Sequence, residues 1–175
     1  FIVIMYFWNN VGLLKYDGSE WRTIYVKKNK VVRSLAIGKY SIVYVGASND
    51  IGYISPDKNK ILTYISLFDK IDTAYRNFTN VWRTYCQENN VFFATRDAIY
   101  RWNGKNIKVF APEGSFFARC FFANNLILVK DMGKNLKVIK NDSIFELPNS
   151  YKLFNMQLSA DRKSTRLNSS HGKLT

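Results

Sequence analysis

Short runs of alternating hydrophobic and polar residues follow one another along the chain as far as Leu147. Val, Ile, Tyr, Phe and Trp supply the hydrophobic positions, and these side chains favour a pleated, half-buried strand. Turn residues such as Asp17-Gly18 and Asn103-Gly104 separate the runs, because tight hairpins need residues that accept a positive φ. The pattern predicts these strands: Ile2–Trp8, Gly12–Tyr16, Trp21–Tyr25, Val31–Ile37, Ile42–Gly46, Ile51–Ser55, Ile61–Tyr64, Asn80–Cys86, Val91–Thr95, Ala98–Trp102, Asn106–Phe110, Phe116–Phe122, Leu126–Lys130, Leu136–Ile139 and Ser143–Leu147. Leu67 to Asn77 is expected to give one short turn or helix at most.

The predicted strands recur as a unit. An arginine opens the first strand of three units, at Arg33, Arg83 and Arg119. Hairpins start at residues 12, 52, 98 and 136, so their spacings are 40, 46 and 38 residues. Four strands in about 40–45 residues is the period of a propeller blade. The predicted fold class is therefore all-β: a partial β-propeller of about three four-stranded antiparallel blades plus incomplete flanking blades. A sandwich of unrelated hairpins is the alternative.

Composition excludes several kinds of function. The chain has 175 residues, two cysteines and one histidine, His171, so neither a zinc cluster nor a disulfide framework is expected. We expect no catalytic residues, no metal and no cofactor, because the sequence has no phosphate-binding glycine loop and no nucleophile elbow. Four aspartates fall in hairpin turns, where turn chemistry explains them: Asp17, Asp57, Asp97 and Asp142. A facing pair of such carboxylates would instead suggest glycoside hydrolysis.

Two groups of residues are candidates for ligand binding. Arg33, Arg83 and Arg119 occupy equivalent places near the start of the innermost predicted strand, so symmetry would arrange their guanidinium groups in a partial ring suited to a carboxylate or sulfate. The alternative is that each arginine ties down backbone carbonyls or pairs with an acid such as Glu20 or Asp97. The second group is aromatic. Stacking on a sugar ring is one role for these residues and packing between blades is the other: Trp21, Trp82 and Trp102, with Tyr16 and Tyr53. Trp8, with Asn9 and Asn10, forms a predicted loop tip where an exposed contact is expected.

The net charge of +13 raises the question of nucleic acid. The densest basic clusters, Lys27-Lys28-Asn29-Lys30 and Lys58-Asn59-Lys60, fall in predicted loops, where solvated turns explain them. Aromatic and basic side chains do not alternate on one strand face as base stacking would favour. Nucleic acid is therefore not the expected partner.

From Asp161 onward the composition changes, and no aromatic residue or strand alternation follows. This stretch resembles a common sequencing-adapter oligonucleotide translated in frame, so residues 161–175 are predicted to be a non-native, disordered tail. Without it the formal charge falls from +13 to +10, because Arg162, Lys163, Arg166, Lys173 and Asp161 are removed. The partial β-propeller domain is assigned to residues 1–160. Both ends of the native segment are expected to be truncated.

The repeat resembles the propeller repeats of bacterial sensory regulators of the two-component, triple-tyrosine-motif class. The resemblance rests on Leu14-Lys-Tyr-Asp-Gly-Ser-Glu-Trp-Arg22, Val32-Arg-Ser-Leu35, and Tyr44-Val-Gly46 followed by Ile51-Gly-Tyr53. It spans roughly Ile2 to Leu147 and departs at Lys130, where the family usually has glycine. In this family the blades precede a triple-tyrosine domain, a membrane helix and a kinase or DNA-binding output.

The resemblance implies a periplasmic, ligand-sensing region of a membrane-bound regulator, with no catalysis of its own. It also implies that the output and membrane domains belong to the same polypeptide, and that the full-length protein is a dimer. The expected ligand is anionic or a carbohydrate, for instance an acidic oligosaccharide. The competing interpretation is a propeller that serves only as a protein–protein interaction platform.

Overall fold

The structure, a computed structural model, describes residues 4–8, 12–27, 30–123, 125–140 and 142–150. Within these residues the fold is all-β, with four antiparallel sheets and three single-turn 3₁₀ helices. Each sheet is a meander whose neighbouring strands are consecutive in the chain. This arrangement is compatible with blade-like repeats. Residues 151–175, which include the predicted tail from Asp161, lie outside the described residues.

Sheet I has three strands and sheets II to IV have four each. Sheet I consists of β1 (Met5–Trp8), β2 (Gly12–Tyr16) and β3 (Trp21–Tyr25). Sheet II consists of β4 (Val32–Ile37), β5 (Val43–Ala47), β6 (Asp50–Pro56) and β7 (Leu62–Ser66). Sheet III consists of β8 (Arg83–Gln87), β9 (Asn90–Ala94), β10 (Ile99–Trp102) and β11 (Ile107–Phe110). Sheet IV consists of β12 (Phe117–Ala123), β13 (Leu126–Asp131), β14 (Leu136–Lys140) and β15 (Ser143–Glu146).

Every predicted strand has a counterpart, and most bounds differ by one or two residues. The largest difference among described residues is at β8, which begins at Arg83 rather than Asn80 because residues 80–82 contact sheet II instead. The connection after β7 contains two 3₁₀ helices, Phe68–Lys70 and Thr73–Tyr75, where at most one short helix was expected. A third, Lys39–Ser41, was not predicted.

Three apolar layers hold the four sheets in chain order. Leu13 and Ile24 of sheet I pack with Val43 and Val45 of sheet II. A second layer joins the other face of sheet II to sheet III, and includes Ile51, Phe93, Tyr100 and Trp102. A third layer joins sheet III to sheet IV, and includes Phe92, Ile99, Ile127 and Val129. Sheets II and III are therefore covered on both faces, because alternate residues of one strand point to opposite sides.

The first strands of sheets II, III and IV lie side by side. Ser34 Oγ of β4 is 2.8 Å from Thr84 Oγ1 of β8 and also donates to the Val81 carbonyl at 2.7 Å. At the other end of the same strands, Lys39 Nζ donates to Asn89 Oδ1 at 2.6 Å. The beginnings of β4 and β8 are in contact, and so are their ends, so the two strands run in the same direction.

The contact between β8 and β12 follows the same pattern. Tyr85 Oη donates to the Cys120 carbonyl at 3.1 Å, and the Tyr85 ring stacks on Phe122 at 5.6 Å. Farther along, Gln87 Nε2 donates to the Asn125 carbonyl. The same relation therefore connects sheet II to III and sheet III to IV. Within the described ranges no helix is long and apolar enough to cross a membrane.

Candidate functional site

Arg33, Arg83 and Arg119 all lie at the start of a first strand and are exposed. Arg33 and Arg119 lie where the register shifts, between Val32 and Ser34 in sheet II and between Phe117 and Arg119 in sheet IV. A bulge changes the direction of a side chain, which is how a strand that is otherwise half buried presents an arginine at the sheet end. Arg83 pairs regularly with Ala94.

Arg33 connects sheet II to sheet III. Its Nε donates to Asn80 Oδ1 at 3.1 Å, and the same oxygen accepts a bond from Ser48 Oγ at 2.8 Å. The Arg33 guanidinium carbon lies 5.6 Å from the centroid of the Trp82 ring, which is 52% exposed. The structural alternative was a backbone carbonyl or an acid such as Glu20 or Asp97, but Arg33 bonds a side-chain amide oxygen, and Glu20 accepts a bond from Arg22 at 3.1 Å. Arg33 therefore forms an arginine–aromatic pair beside Arg83.

The Arg83 side chain has no hydrogen bond or ion pair to another described residue. Its charge nonetheless acts on Cys120: burial raises the pKa of that thiol to about 12, and Arg83 opposes the rise. Arg83 is thus close to the residue that follows Arg119. Arg119 Nη1 donates to its neighbour's carbonyl, Ala118 O, at 3.0 Å, which matches the alternative that an arginine ties down a backbone carbonyl.

A fourth arginine lies at the same end and was not singled out from the sequence. The Arg96 guanidinium lies 3.6 Å from the centroid of the Phe116 ring. The Arg96 carbonyl accepts a bond from Phe117 N at 2.8 Å, which joins the β9–β10 turn to the start of β12. Arg96 follows a strand rather than opening one, so the repeat of first-strand arginines gave no signal for it. We call Arg33, Arg83, Arg96 and Arg119, with Trp82 and Phe116, the arginine edge.

The arginine edge has the chemistry of an anion-binding surface. Guanidinium groups stay charged at all physiological pH values and present two parallel N–H donors to a carboxylate or sulfate. Two of the four lie over aromatic rings, and such pairing holds a guanidinium in place. Asp97 also lies here, and its carboxylate accepts a bond from Thr79 N at 3.3 Å. The edge therefore combines fixed cations with exposed aromatic surface.

A shallow cleft of about 170 Å³ lies at the opposite end of β4 and β8. Lys39, Tyr40, Tyr44, Cys86 and Asn89 contribute to its lining. Burial raises the pKa of the Cys86 thiol to about 11, so the thiol is protonated at neutral pH and is a poor nucleophile. The cleft is open, and two of its polar groups, Lys39 Nζ and Asn89 Oδ1, are already bonded to each other. The arginine edge is the stronger candidate.

The other candidate aromatic residues have different environments. Trp8 ends β1 and is 55% exposed, whereas Asn9 and Asn10 lie outside the described residues. Trp102 is 5% exposed and packs in the layer between sheets II and III. Trp21 is 58% exposed and lies 4.8 Å from the Tyr16 ring on the outer face of sheet I. Packing thus explains Trp102 but not Trp8 or Trp21.

The hairpin aspartates have local structural partners. Asp17 Oδ1 accepts bonds from Ser19 N, Ser19 Oγ and Glu20 N, and Asp57 Oδ1 accepts bonds from Asn59 N and Ile61 N. Asp142 pairs with Arg101 across sheets III and IV. The turn interpretation of Asp17 and Asp57 is therefore confirmed. Among the described residues no group of three or more His, Cys, Asp or Glu side chains could hold a metal ion.

No protein-family model matches the chain, and no curated protein matches it significantly. Among solved structures, the chain is similar to the crystal structure of the computationally designed Ika8 protein, with a TM-score of 0.47 and 19% sequence identity. The alignment covers 77% of this chain and 44% of that one. The chain therefore spans less than half the length of the designed protein.

Proposed function

We propose that the chain is part of a β-propeller and binds an anionic ligand at the arginine edge. The propeller arrangement is supported by the consecutive stacking of the sheets and by the parallel first strands. In a propeller such strands line a central channel, and ligands bind at its mouth. The chain would then be the sensory part of a larger bacterial regulator outside the cytoplasm. It would have no catalysis of its own and would depend on output and membrane domains elsewhere in the polypeptide.

The observation that carries the ligand proposal is the gathering of four arginines with two aromatic rings at one end of three sheets. Exposed aromatic and charged groups together favour ligand sensing. A flat apolar end would instead favour a protein–protein interaction platform. An acidic oligosaccharide fits both features. Its carboxylates would bind guanidinium groups, and the apolar face of a sugar ring would stack on Trp82.

Replacing Arg83 by Ala tests the ligand proposal. Arg83 has no hydrogen bond to lose within the described structure, so its removal should leave the fold intact. Because a hydrogen bond to a charged group contributes about 1.5–3 kcal/mol, the affinity for oligogalacturonate should fall about tenfold or more. The measurement is isothermal titration calorimetry of both proteins at low salt, where such contacts are least screened.

Arg22→Ala is the matched control, because Arg22 is an exposed arginine paired with Glu20 in sheet I. It should bind as wild type does, and a neutral galactose oligomer should not bind. An unchanged affinity in Arg83→Ala, with an intact circular dichroism spectrum, would remove Arg83 from the site. Equal losses in Arg83→Ala and Arg22→Ala would show attraction by net charge instead of a site.

A second function, a protein–protein platform, is favoured by one separate observation. The outer face of sheet I exposes Met5, Phe7, Trp21 and Tyr25 at 39%, 47%, 58% and 69%. Contiguous apolar surface of this kind is rare on a soluble monomer and marks an interaction surface.

A further inference from the structure

The outer face of sheet I is apolar across all three of its strands. Phe7 is paired with Leu14 and Tyr16 with Trp21 in the sheet register, so these side chains share the side opposite buried Leu13. The Trp21 ring contacts Tyr16 at 4.8 Å and Phe7 at 5.8 Å. Trp21 and its neighbours thus form one continuous aromatic surface, and nothing in the described residues covers it.

The outer face of sheet IV, at the other end of the stack, has an apolar central row, with Arg119, Lys130 and Lys140 in the rows on either side of it. The register places Phe121, Leu128, Val138 and Phe145 in one row across its four strands. Phe145 is 51% exposed and the other three are half-buried. The adjacent row on the inner side, which includes Ile127 and Ile139, packs on sheet III.

Each outer face corresponds to a face that is packed elsewhere in the molecule. β2 and β10 both end directly before an Asx turn, at Asp17 and Asn103, so Tyr16 is equivalent to Trp102. Trp102 is only 5% exposed because it packs on sheet II. The outer face of sheet I is therefore equivalent to the face of sheet III that packs on the preceding sheet, sheet II.

The outer face of sheet IV is equivalent to the opposite face of sheet III, which packs on the following sheet. In sheet IV Arg119 pairs with Lys130, and in sheet III Arg83 pairs with Ala94, so Lys130 and Ala94 are equivalent positions. Leu128 and Phe92 each lie two residues earlier on the same strand, and they are therefore equivalent too. Phe92 is 3% exposed and packs on the following sheet, sheet IV. One chain thus carries both halves of the contact that joins its own successive sheets.

We infer that a second copy of this chain occupies these faces, with sheet I of one copy packed on sheet IV of its partner. Such a head-to-tail contact uses two different surfaces and either closes into a ring or continues as a filament. Two copies closed head to tail would bring together eight of the described sheets, four from each copy, which is within the four to eight blades typical of propellers. The inference does not depend on a ligand at the arginine edge.

The net charge adds a distinguishing property. Each copy carries +13, so two copies repel each other in dilute buffer, and salt should strengthen their association by screening this repulsion. Binding of an anion to the arginine edge should weaken with salt instead. The two functions can therefore be separated by ionic strength alone.

Light scattering on the eluting full chain tests the inference. Wild type should elute at twice the 20.4 kDa mass of one chain or more, and the associated fraction should rise with salt. Trp21→Asp on sheet I and Phe145→Asp on sheet IV should each lower the associated fraction at least tenfold. Mixing the two variants should restore a two-chain species, because one intact sheet IV face then meets one intact sheet I face.

Tyr40→Asp is the control, because Tyr40 is 94% exposed at a turn that belongs to neither face. It should associate as wild type does. If Trp21→Asp fails to fold, Tyr25→Asp replaces it on the same face. A monomeric wild type at every concentration and salt would overturn the inference. The inference would also be overturned if the sheet I variant dissociated the copies and Phe145→Asp did not, because two sheet I faces would then be in contact with each other.

Discussion

At the scale of residues, small side chains let the sheets approach one another closely. A β-carbon on Gly46 would lie 2.5 Å from Ser34 Oγ, 2.5 Å from Val81 Cγ1 and 2.8 Å from Thr84 Oγ1. Gly46 is therefore needed because the buried hydroxyl pair that joins sheets II and III passes directly over it. Sheet IV has Lys130 at the corresponding place, where its side chain turns away and donates to the Lys134 carbonyl at 2.9 Å.

Gly46→Ala should destabilise the protein by about 1–3 kcal/mol, because the added methyl group overpacks a closed interface. Urea denaturation measures the change. Gly104→Ala is the comparison: Gly104 has a φ of +92° and no atom within 4 Å of an added β-carbon, so only backbone strain of about 1 kcal/mol is expected. Because only Gly46→Ala meets neighbouring atoms, its loss should be the larger of the two, and an equal or smaller loss would mean that the sheets do not pack closely over Gly46.

Asp17 gives a pH-dependent prediction at the same scale. The backbone N–H of Glu20, with the hydroxyl and N–H of Ser19, lowers the pKa of Asp17 to about 2 from its usual 3.8. Because the folded pKa is the lower one, the turn is stabilised above the unfolded pKa, and this contribution is lost as pH falls from about 4 to 2. Carbon-13 NMR of the Asp17 carboxyl should show a midpoint near 2. A midpoint near 4 would mean that the turn bonds are absent in solution.

At the scale of elements, the strands could be predicted from the sequence and the contacts between sheets could not. Alternation and Asx turns are local signals, so the hairpin at Asp17 could be located from neighbouring residues alone. The Arg33–Trp82 and Ser34–Thr84 contacts join residues about 50 positions apart. Their partners depend on how sheets stack, which no local pattern encodes.

The turn after β4 shows a second limit. Tyr40 and Ser41 have φ values of 55° and 57°, although tight hairpins prefer Asn and Gly at such positions. The sequence contains no turn signal here, because a tyrosine and a serine occupy the left-handed conformation, which costs residues of these types free energy. Candidate sites have the same difficulty: Arg96 could not be found because its partner Phe116 comes from the next sheet.

Sheet IV contains a buried charge cluster whose energetics can be tested. Lys137 and Asp131 are 2% and 0% exposed, with Nζ 3.4 Å from Asp131 Oδ2 and 2.7 Å from Glu113 Oε2. The Asp131 carboxylate also accepts bonds from Glu113 N and Gly114 N, which fixes the loop before β12.

Lys137→Met should cost about 3–5 kcal/mol, because it leaves the Asp131 carboxylate buried without its cation. Lys137→Met combined with Asp131→Asn should recover part of this loss, since no buried charge is then left unpaired and the Glu113 carboxylate, whose side chain is 67% exposed, is solvated. Chemical denaturation of the two single variants and the double variant gives the coupling energy. Purely additive losses would mean that the two groups do not act as a pair.

At the scale of the whole molecule, one relation between neighbouring sheets is repeated. The same face of each sheet meets the next, and the first strands remain parallel from sheet II to sheet IV. This repetition brings the arginines to one end, and it also leaves two complementary apolar faces at the ends of the stack. The proposed ligand site and the proposed contact between copies thus have a common structural origin.

A crystal structure of the chain with bound oligogalacturonate tests both the ligand site and the propeller arrangement. We expect sugar carboxylates within hydrogen-bond distance of the Arg33 and Arg83 guanidinium groups, a sugar ring against Trp82, and β4, β8 and β12 side by side. Oligogalacturonate bound only at the opposite cleft, near Lys39, would contradict the assignment of the site. Separated first strands would contradict the propeller arrangement itself.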